Sequence, residues 1–382
     1  MIVANDSRLA MSADKGGPMQ KKTFVPTPCK IKAIGVGGAG CNAINRMVRA
    51  EIQGIEFVAI NTDTQALMLN QAQMRIQIGE RSAQGLGVGG NPSKGRQAAE
   101  ENLDEIRQAF GDARMVFIAA GMGGGTGTGA SPLVARLARE SGALTIAIVT
   151  KPFNFEMGHR TQIAEQGIDE LEKEVDAMIV IPNDRLLSTI GDKMTVDNAF
   201  KTADDVLMVA VRAISEVITV PGMINLDFAD VSAIMKGAGP CWLSIGHGSG
   251  QNRVVDAARS AISSQLLEVP ISGAKGMLYI ISGPSNLTLS EVNQAANVIR
   301  AEVDQEAMVI FGVNVDPKLR DDVTITMVAT GFTPVKAKEA QQRDEEFRVL
   351  IRELESDETR LETPAFMRRP TNMRLLSTSM MK

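Results

Sequence analysis

The sequence predicts an α/β protein: a doubly wound parallel sheet, one long central helix, and a smaller α/β unit after it. Three observations carry that expectation. Short β-rich runs alternate with longer amphipathic ones from Lys30 onward, the pattern of parallel strands covered by helices on both faces. Two glycine-rich loops each follow a strand and open a helix. Residues 196–220 read as a single helix whose second half (Val206, Leu207, Val209, Val211, Ile214, Val217, Ile218) is apolar nearly all round, which fits burial between two units.

Residues 1–28 are polar and proline-containing and are expected to be a disordered extension. The first unit, 29–195, takes strands at 31–34, 56–60, 115–119, 144–150 and 177–181, with helices at 42–50, 94–110 and 132–141. The central helix occupies 196–222 and is stopped by Pro221-Gly222. The second unit, 223–331, takes helices at 227–236, 253–267 and 289–304 and strands at 242–245, 277–282, 309–315 and 323–330. Residues 332–360 are dominated by charge, with a thin stripe of Phe347, Leu350, Ile351 and Leu354, and read as a solvated linker. In 361–382 a basic tail surrounds Pro364-Ala365-Phe366-Met367, the composition of a short docking peptide.

Bulk composition narrows the function. The 382 residues are 44% apolar and 22% charged with a net charge of −5, so nucleic acid is a poor default partner. Cys29, Cys41 and Cys241 form no CxxC pair, which suits a reducing, cytoplasmic compartment. The two histidines, His159 and His247, give zinc catalysis or a His-based triad little to build on. The N-terminal stretch is broken by Asp6, Arg8, Asp14 and Lys15, unlike a signal peptide. No apolar run reaches the roughly 18 residues of a membrane span, so membrane contact would come through a partner.

The first glycine loop is Gly35-Val-Gly37-Gly38-Ala-Gly40. Its backbone N–H groups and the following helix N-terminus suit a phosphate. With Asp63 as a ribose acid it also matches a dinucleotide fingerprint, and a tight structural turn would look the same. The second loop, Gly121-Met-Gly-Gly-Gly-Thr-Gly-Thr-Gly129, has six glycines in nine residues. Ordering so many glycines is entropically costly, so exposed N–H groups for a polyphosphate are the natural reason. Pro132 is expected in the first turn of the helix behind it. A third loop, Gly85-Leu-Gly-Val-Gly-Gly-Asn91, either closes over a terminal phosphate or is a flexible turn. No Gly-Lys pair and no Asn-Lys-x-Asp motif occur, so neither a Walker loop nor a switch-type guanine motif is present.

From about Lys30 to Gly331, and again at Thr363-Pro364-Ala365-Phe366-Met367-Arg368-Arg369, these motifs resemble the bacterial tubulin-like division GTPases, the FtsZ family; the 121–129 loop resembles the tubulin signature. The resemblance implies a tubulin-like fold whose first unit binds GTP or GDP, with Mg²⁺ bridging phosphate oxygens and no dedicated protein cage. Gly38, Ala39, Gly40, Cys41 and Asn42 would line the first phosphate loop, Asn42 also near the base. Gly125, Thr126 and Gly127 would hold phosphates, Glu156 and Arg160 the ribose and phosphate side, and Asn183 and Asp204 the guanine, with Phe200 stacked on it. On their own, Glu156 and Arg160 also suit a surface i,i+4 ion pair, Asp204 a solvated turn, and Phe200 a core position.

Asn225-Leu-Asp227-Phe-Ala-Asp230 reads by itself as an N-cap and a first-turn acid. The resemblance implies that Asp227 and Asp230, helped by Asn225, enter the site of the next copy and orient the attacking water. It further implies a head-to-tail homopolymer at a midcell division ring, and a tail peptide, 363–369, that docks on membrane anchors and division regulators. Met157-Gly158-His159 departs from the family's usual filling, although the Glu156 to Arg160 spacing is kept. The tether is short, and the basic extension after Arg369 is unusual. Two other readings stand beside this one: an NAD-dependent oxidoreductase resting on the first loop and Asp63, and a GTP-binding scaffold that does not hydrolyse.

Overall fold

The computed structural model describes residues 29–190, 195–220, 224, 226–264, 266, 271–316 and 319–332. The expected N-terminal extension, charged linker, docking peptide and Asn225 lie outside them. In chain order the first unit holds β1 (Ile31–Val36), α1 (Gly37–Arg49), β2 (Ile55–Asn61), α2 (Thr64–Met68), β3 (Met74–Gln77), α3 (Pro92–Glu101), α4 (Leu103–Phe110), β4 (Met115–Gly121), α5 (Thr126–Glu140), β5 (Leu144–Lys151), α6 (Gly158–Glu172), β6 (Ala177–Pro182) and α7 (Asn183–Ile190). Then come α8 (Val196–Thr219), α9 (Phe228–Met235), β7 (Gly239–Gly248), α10 (Arg253–Ile262), β8 (Gly276–Gly283), α11 (Leu289–Glu302), β9 (Met308–Val315) and β10 (Val323–Thr330).

The strands form one sheet in the order β3-β2-β1-β4-β5-β6-β7-β10-β8-β9. β3 to β6 are all parallel to their neighbours, and their strands read as buried apolar runs, as sheets covered on both faces do. One face packs under α1 and α8, through Ala43, Ile44, Met47, Leu207, Ala210 and Ile214. The other packs under α3 to α6, through Ala98, Ile106, Val134, Leu137, Ala164 and Leu171. The chain winds outward from β1 to β3 on one side and from β4 to β6 on the other, so the direction switches between β1 and β4.

The second unit is not a separate sheet. β7 pairs in parallel with β6 through Ala177–Gly239 and Ile179–Cys241, while β10 runs antiparallel between β7 and β8. α8 is buried along Val206, Leu207, Ala210, Val211, Ile214 and Val217, in a core that also includes Val231, Met235, Leu243, Leu278 and Val328 from beyond it. Its last turns are tied to β9 and the residue after it: Arg212 reaches Glu216 at 2.8 Å and Asp316 at 3.2 Å, and Asn314 of β9 donates to Glu216 at 3.3 Å.

Several elements differ from the pattern reading. α1 begins at Gly37, inside the first glycine loop, and not at Asn42; α10 ends at Ile262; and β3 has no counterpart among the expected strands. The helix expected over 94–110 breaks at Asn102, whose side chain accepts from the Gly79 amide at 3.0 Å and whose backbone leaves the helical region; a short amide side chain competes with the helix ladder in this way. α5 begins at Thr126, inside the second glycine loop, so Pro132 falls within the helix and not in its first turn.

Candidate functional site

The carboxyl ends of β1, β4, β5 and β6 converge at one edge of the sheet, where a doubly wound fold places its crevice. The first glycine loop leaves β1 and the second leaves β4, its immediate neighbour. The loops are in contact: a methyl group built on Gly37, whose φ is +73°, would lie 2.6 Å from the Gly127 amide nitrogen. Only glycine supplies that turn together with that clearance. By contrast, Gly38 and Gly124 face open space.

That space is a cavity of about 280 Å³ lined by Gly38, Ala39, Gly125, Thr126, Gly127, Glu156, Arg160, Asn183, Phe200 and Asp204, together with Gly121, Met122, Gly124, Thr150, Pro152 and Ala203. Residues spread from 38 to 204 thus meet in one place. Gly40 and Cys41 lie behind the lining. A methyl on Gly40 would strike the Ala119 carbonyl at 2.2 Å. The Cys41 thiol faces the Gly35 and Ile60 carbonyls, and burial pushes it up to about 12, so it stays protonated. Asn42 lines an adjoining groove between α1 and α8, which shares Phe200 and Asp204 with the cavity.

The polar groups around the cavity are held firmly. Glu156 is largely buried; it accepts from the Phe153 amide at 3.1 Å and from Arg160 at 2.5 Å. Asn183 opens α7 directly after β6, is 5% exposed, and its Oδ1 has no hydrogen-bond partner. An orphaned buried acceptor costs about 1–3 kcal/mol, which a ligand N–H would recover. Asp204 meets Arg46 at 3.3 Å; burial pushes its carboxyl up to about 6 against the pull of Arg46, with Asp205 adding to the rise. Phe200 is 41% exposed and stands edge-on to Phe153 and Phe155, leaving a ring face for a planar ligand.

Glycine backbone and threonine hydroxyls at one end, and a carboxylate, an amide and an aromatic face at the other, suit a purine nucleotide with a polyphosphate. Asp63 has a different occupation. It caps α2, accepting from the Gln65 and Ala66 amides at 2.9 and 3.1 Å, which removes the ribose acid that a dinucleotide reading needs. The third loop packs beside the second, with Val88 against Gly125, and none of residues 85–91 lines the cavity.

Several lining residues went unnoticed in the sequence. Thr150 and Pro152 follow the apolar run of β5, and polar or turn residues at a parallel strand's carboxyl end were the available signal. Behind the lining, Thr62 is fully buried and shares a 2.7 Å hydrogen bond with the lining residue Thr126; nothing local in the sequence distinguishes it.

Asp227 and Asp230 lie elsewhere. They form a reciprocal capping box at the start of α9, Asp227 accepting from the Asp230 amide at 2.9 Å and Asp230 from the Asp227 amide at 3.3 Å. Asp227 is exposed and Asp230 partly so. The neighbouring Phe228 ring lies 4.9 Å under the guanidinium of Arg114, the residue just before β4. The second glycine loop leaves the far end of that strand. Seven residues of β4, roughly 20 Å of extended chain, separate the two.

Family models match along most of the described chain. Residues 30–191 match the Tubulin/FtsZ family GTPase domain, and residues 239–333 match the FtsZ family C-terminal domain. Among solved structures, an empty FtsZ dimer from M. jannaschii is 42% identical with a TM-score of 0.77, over 80% of this chain and 89% of that one. A point variant of M. jannaschii FtsZ gives 42% identity and a TM-score of 0.78, over 80% and 92% of the two chains. A GTPγS-bound CetZ2 protofilament from Haloferax volcanii is 19% identical with a TM-score of 0.68, over 83% and 98%, a likeness of fold.

Proposed function

The chain belongs to the tubulin/FtsZ family of GTPases, and from that premise we propose that it polymerises head to tail and hydrolyses GTP at the junction between copies. The filament would form the cytokinetic ring in the cytoplasm at the division site. The observation that carries this reading is the separation just described: the cavity and the Asp227–Asp230 pair occupy opposite ends of the parallel sheet. No copy brings its own acids to its own loops, whereas a second copy stacked on the first does. A contact between two different faces builds a filament when its rotation does not close.

In this reading the loops hold the phosphates, Glu156 and Arg160 the ribose side, and Asn183, Asp204 and Phe200 the base. A carboxylate accepts both N–H groups of guanine's pairing edge, which adenine does not offer, so the wrong base leaves a polar group unpaired. Asp227 and Asp230 of the next copy accept hydrogen bonds from a water and aim it at the γ-phosphorus. As its oxygen bonds to phosphorus, the bridging bond breaks and GDP leaves with the electron pair. Positioning supplies most of such catalysis. Mg²⁺, when bound, would neutralise charge on the phosphate oxygens.

No helix among the described residues is long and apolar enough to cross a membrane. Attachment is assigned to residues 363–369, docking on membrane anchors and division regulators. GTP turnover and pelleting against protein concentration test the proposal, for wild type and Asp227→Ala. Turnover should show a concentration threshold, and the variant should pellet with GTP yet hardly hydrolyse it. Turnover per subunit that stays constant on dilution below the pelleting threshold would remove the shared site.

A further inference from the structure

Resting on the reading of Asp204 as the base-recognising acid, we propose that Arg46 is its positioning residue: a guanidinium on the phosphate-loop helix that aims this carboxylate and keeps it an acceptor for guanine. Arg46 lies four residues after Asn42, on the same face of α1, and α1 packs against α8. Its Nε meets Asp204 Oδ2 at 3.3 Å, and its Nη1 meets Asp205 Oδ1 at 2.6 Å. One side chain therefore grips two consecutive acids of α8 from the helix that begins in the first glycine loop. The planar fork fixes direction as well as charge. Asp204 Oδ1 has no hydrogen bond among the described residues.

The other charges around Asp204 are committed elsewhere. Arg49 on α1 donates to Gln71. On α8, Lys201 pairs with Asp197 at 2.5 Å. Across the cavity Arg160 pairs with Glu156. On α7, which packs against α8, Asp184 accepts from the Asn154 amide at 3.0 Å. Asp205, half-exposed on α8, is the acid whose charge acts on Asp204. Arg46 is thus the cation that meets Asp204, and it also offsets the repulsion from Asp205.

This arrangement has a pH signature. Asp204 is raised to about 6, chiefly by burial, and Arg46 holds it down. A protonated acid presents a donor toward guanine's donors, so affinity is present above about 6 and lost as pH falls through it. Without Arg46 both burial and Asp205 act unopposed, and the midpoint moves up. Without the Asp205 charge it moves down.

The test is the affinity of a fluorescent GDP derivative from pH 5 to 8.5, below the assembly threshold. Wild type, Arg46→Gln, Arg46→Lys and Asp205→Asn are compared, each checked by thermal unfolding. Arg46→Gln should bind about tenfold more weakly at pH 7 with a raised midpoint. Arg46→Lys, which keeps charge without the fork, should fall between. Asp205→Asn should show a lowered midpoint. An Arg46→Gln midpoint equal to wild type overturns the proposal, whatever affinity is lost, because a merely structural role weakens binding at every pH alike. Should Arg46→Gln not fold, an Asp205→Asn midpoint that stays or rises overturns it equally. Asp204→Asn separates this from the parent reading: it should trade GDP for the xanthosine diphosphate. Unchanged GDP affinity in that variant would fell the base-reader assignment itself.

Discussion

Met157 has φ +76° and ψ 154°, backbone that is nearly the preserve of glycine and costs a side-chain-bearing residue about 1–3 kcal/mol. It sits between Glu156, which lines the cavity, and Gly158. Met157→Gly relieves the strain but adds freedom to the unfolded chain, so a net gain of about 1 kcal/mol is expected. A urea midpoint that rises at constant slope would show it; a falling midpoint would mean the backbone is not strained there. The sequence flagged this tripeptide as a departure but gave no hint of its sign, because φ is set by the turn that brings Arg160 back to Glu156. Asn183 and Asp204 were legible only through family likeness. Their chemistry is ordinary until the fold sets one beside an empty cavity and the other beside Arg46, 158 residues away in sequence.

At the scale of elements, α11 shows what local reading catches and what it leaves out. Thr288 and Glu291 form a capping box, a pattern visible in sequence. Invisible was Arg253 of α10, 8% exposed, which reaches Glu291 at 2.8 Å, Asn286 at 3.0 Å and the Asp321 carbonyl at 3.2 Å. Hydrogen bonding from Arg253, first, and from Thr288 holds the Glu291 carboxyl down at about 2. A lowered carboxylate stabilises the fold above its unfolded value near 4.5 and loses that contribution as pH falls toward 2. Glu291→Gln should cost about 1 kcal/mol at pH 7 and flatten the decline of stability across that interval. Denaturant titrations at pH 7 and pH 3 check both; an equal loss at the two would dissociate the effect from ionisation. Strands made of long apolar runs are legible in sequence; β3, a four-residue edge strand with a single buried position, is not. Neither is the break at Asn102 nor the early start of α5, since both depend on partners outside the helix.

The whole molecule holds the feature least visible from sequence: one sheet runs through both units, joined where β6 meets β7. Local pattern finds two α/β units but not their shared ladder, because hydrophobic periodicity says nothing of which strand lies beside which. That rigid frame fixes the cavity at one end and Asp227 at the other. A mixing experiment tests the consequence. Asp227→Ala supplies sound loops without acids, and a second variant that binds no nucleotide supplies sound acids. Each alone should be nearly inactive; mixed equally, about a quarter of the junctions combine sound halves, and turnover should return in proportion. No recovery would leave each copy answerable for its own chemistry.

Because loops and carboxylates face opposite ways along a single frame, a row of such copies has a direction. In the proposed filament, the last copy at the loop-bearing tip would have nobody above it to lend a carboxylate, and its triphosphate would survive. Under that proposal the tip and the shaft behind it would differ in chemistry as well as in position, and growth and loss at the two ends need not keep the same pace.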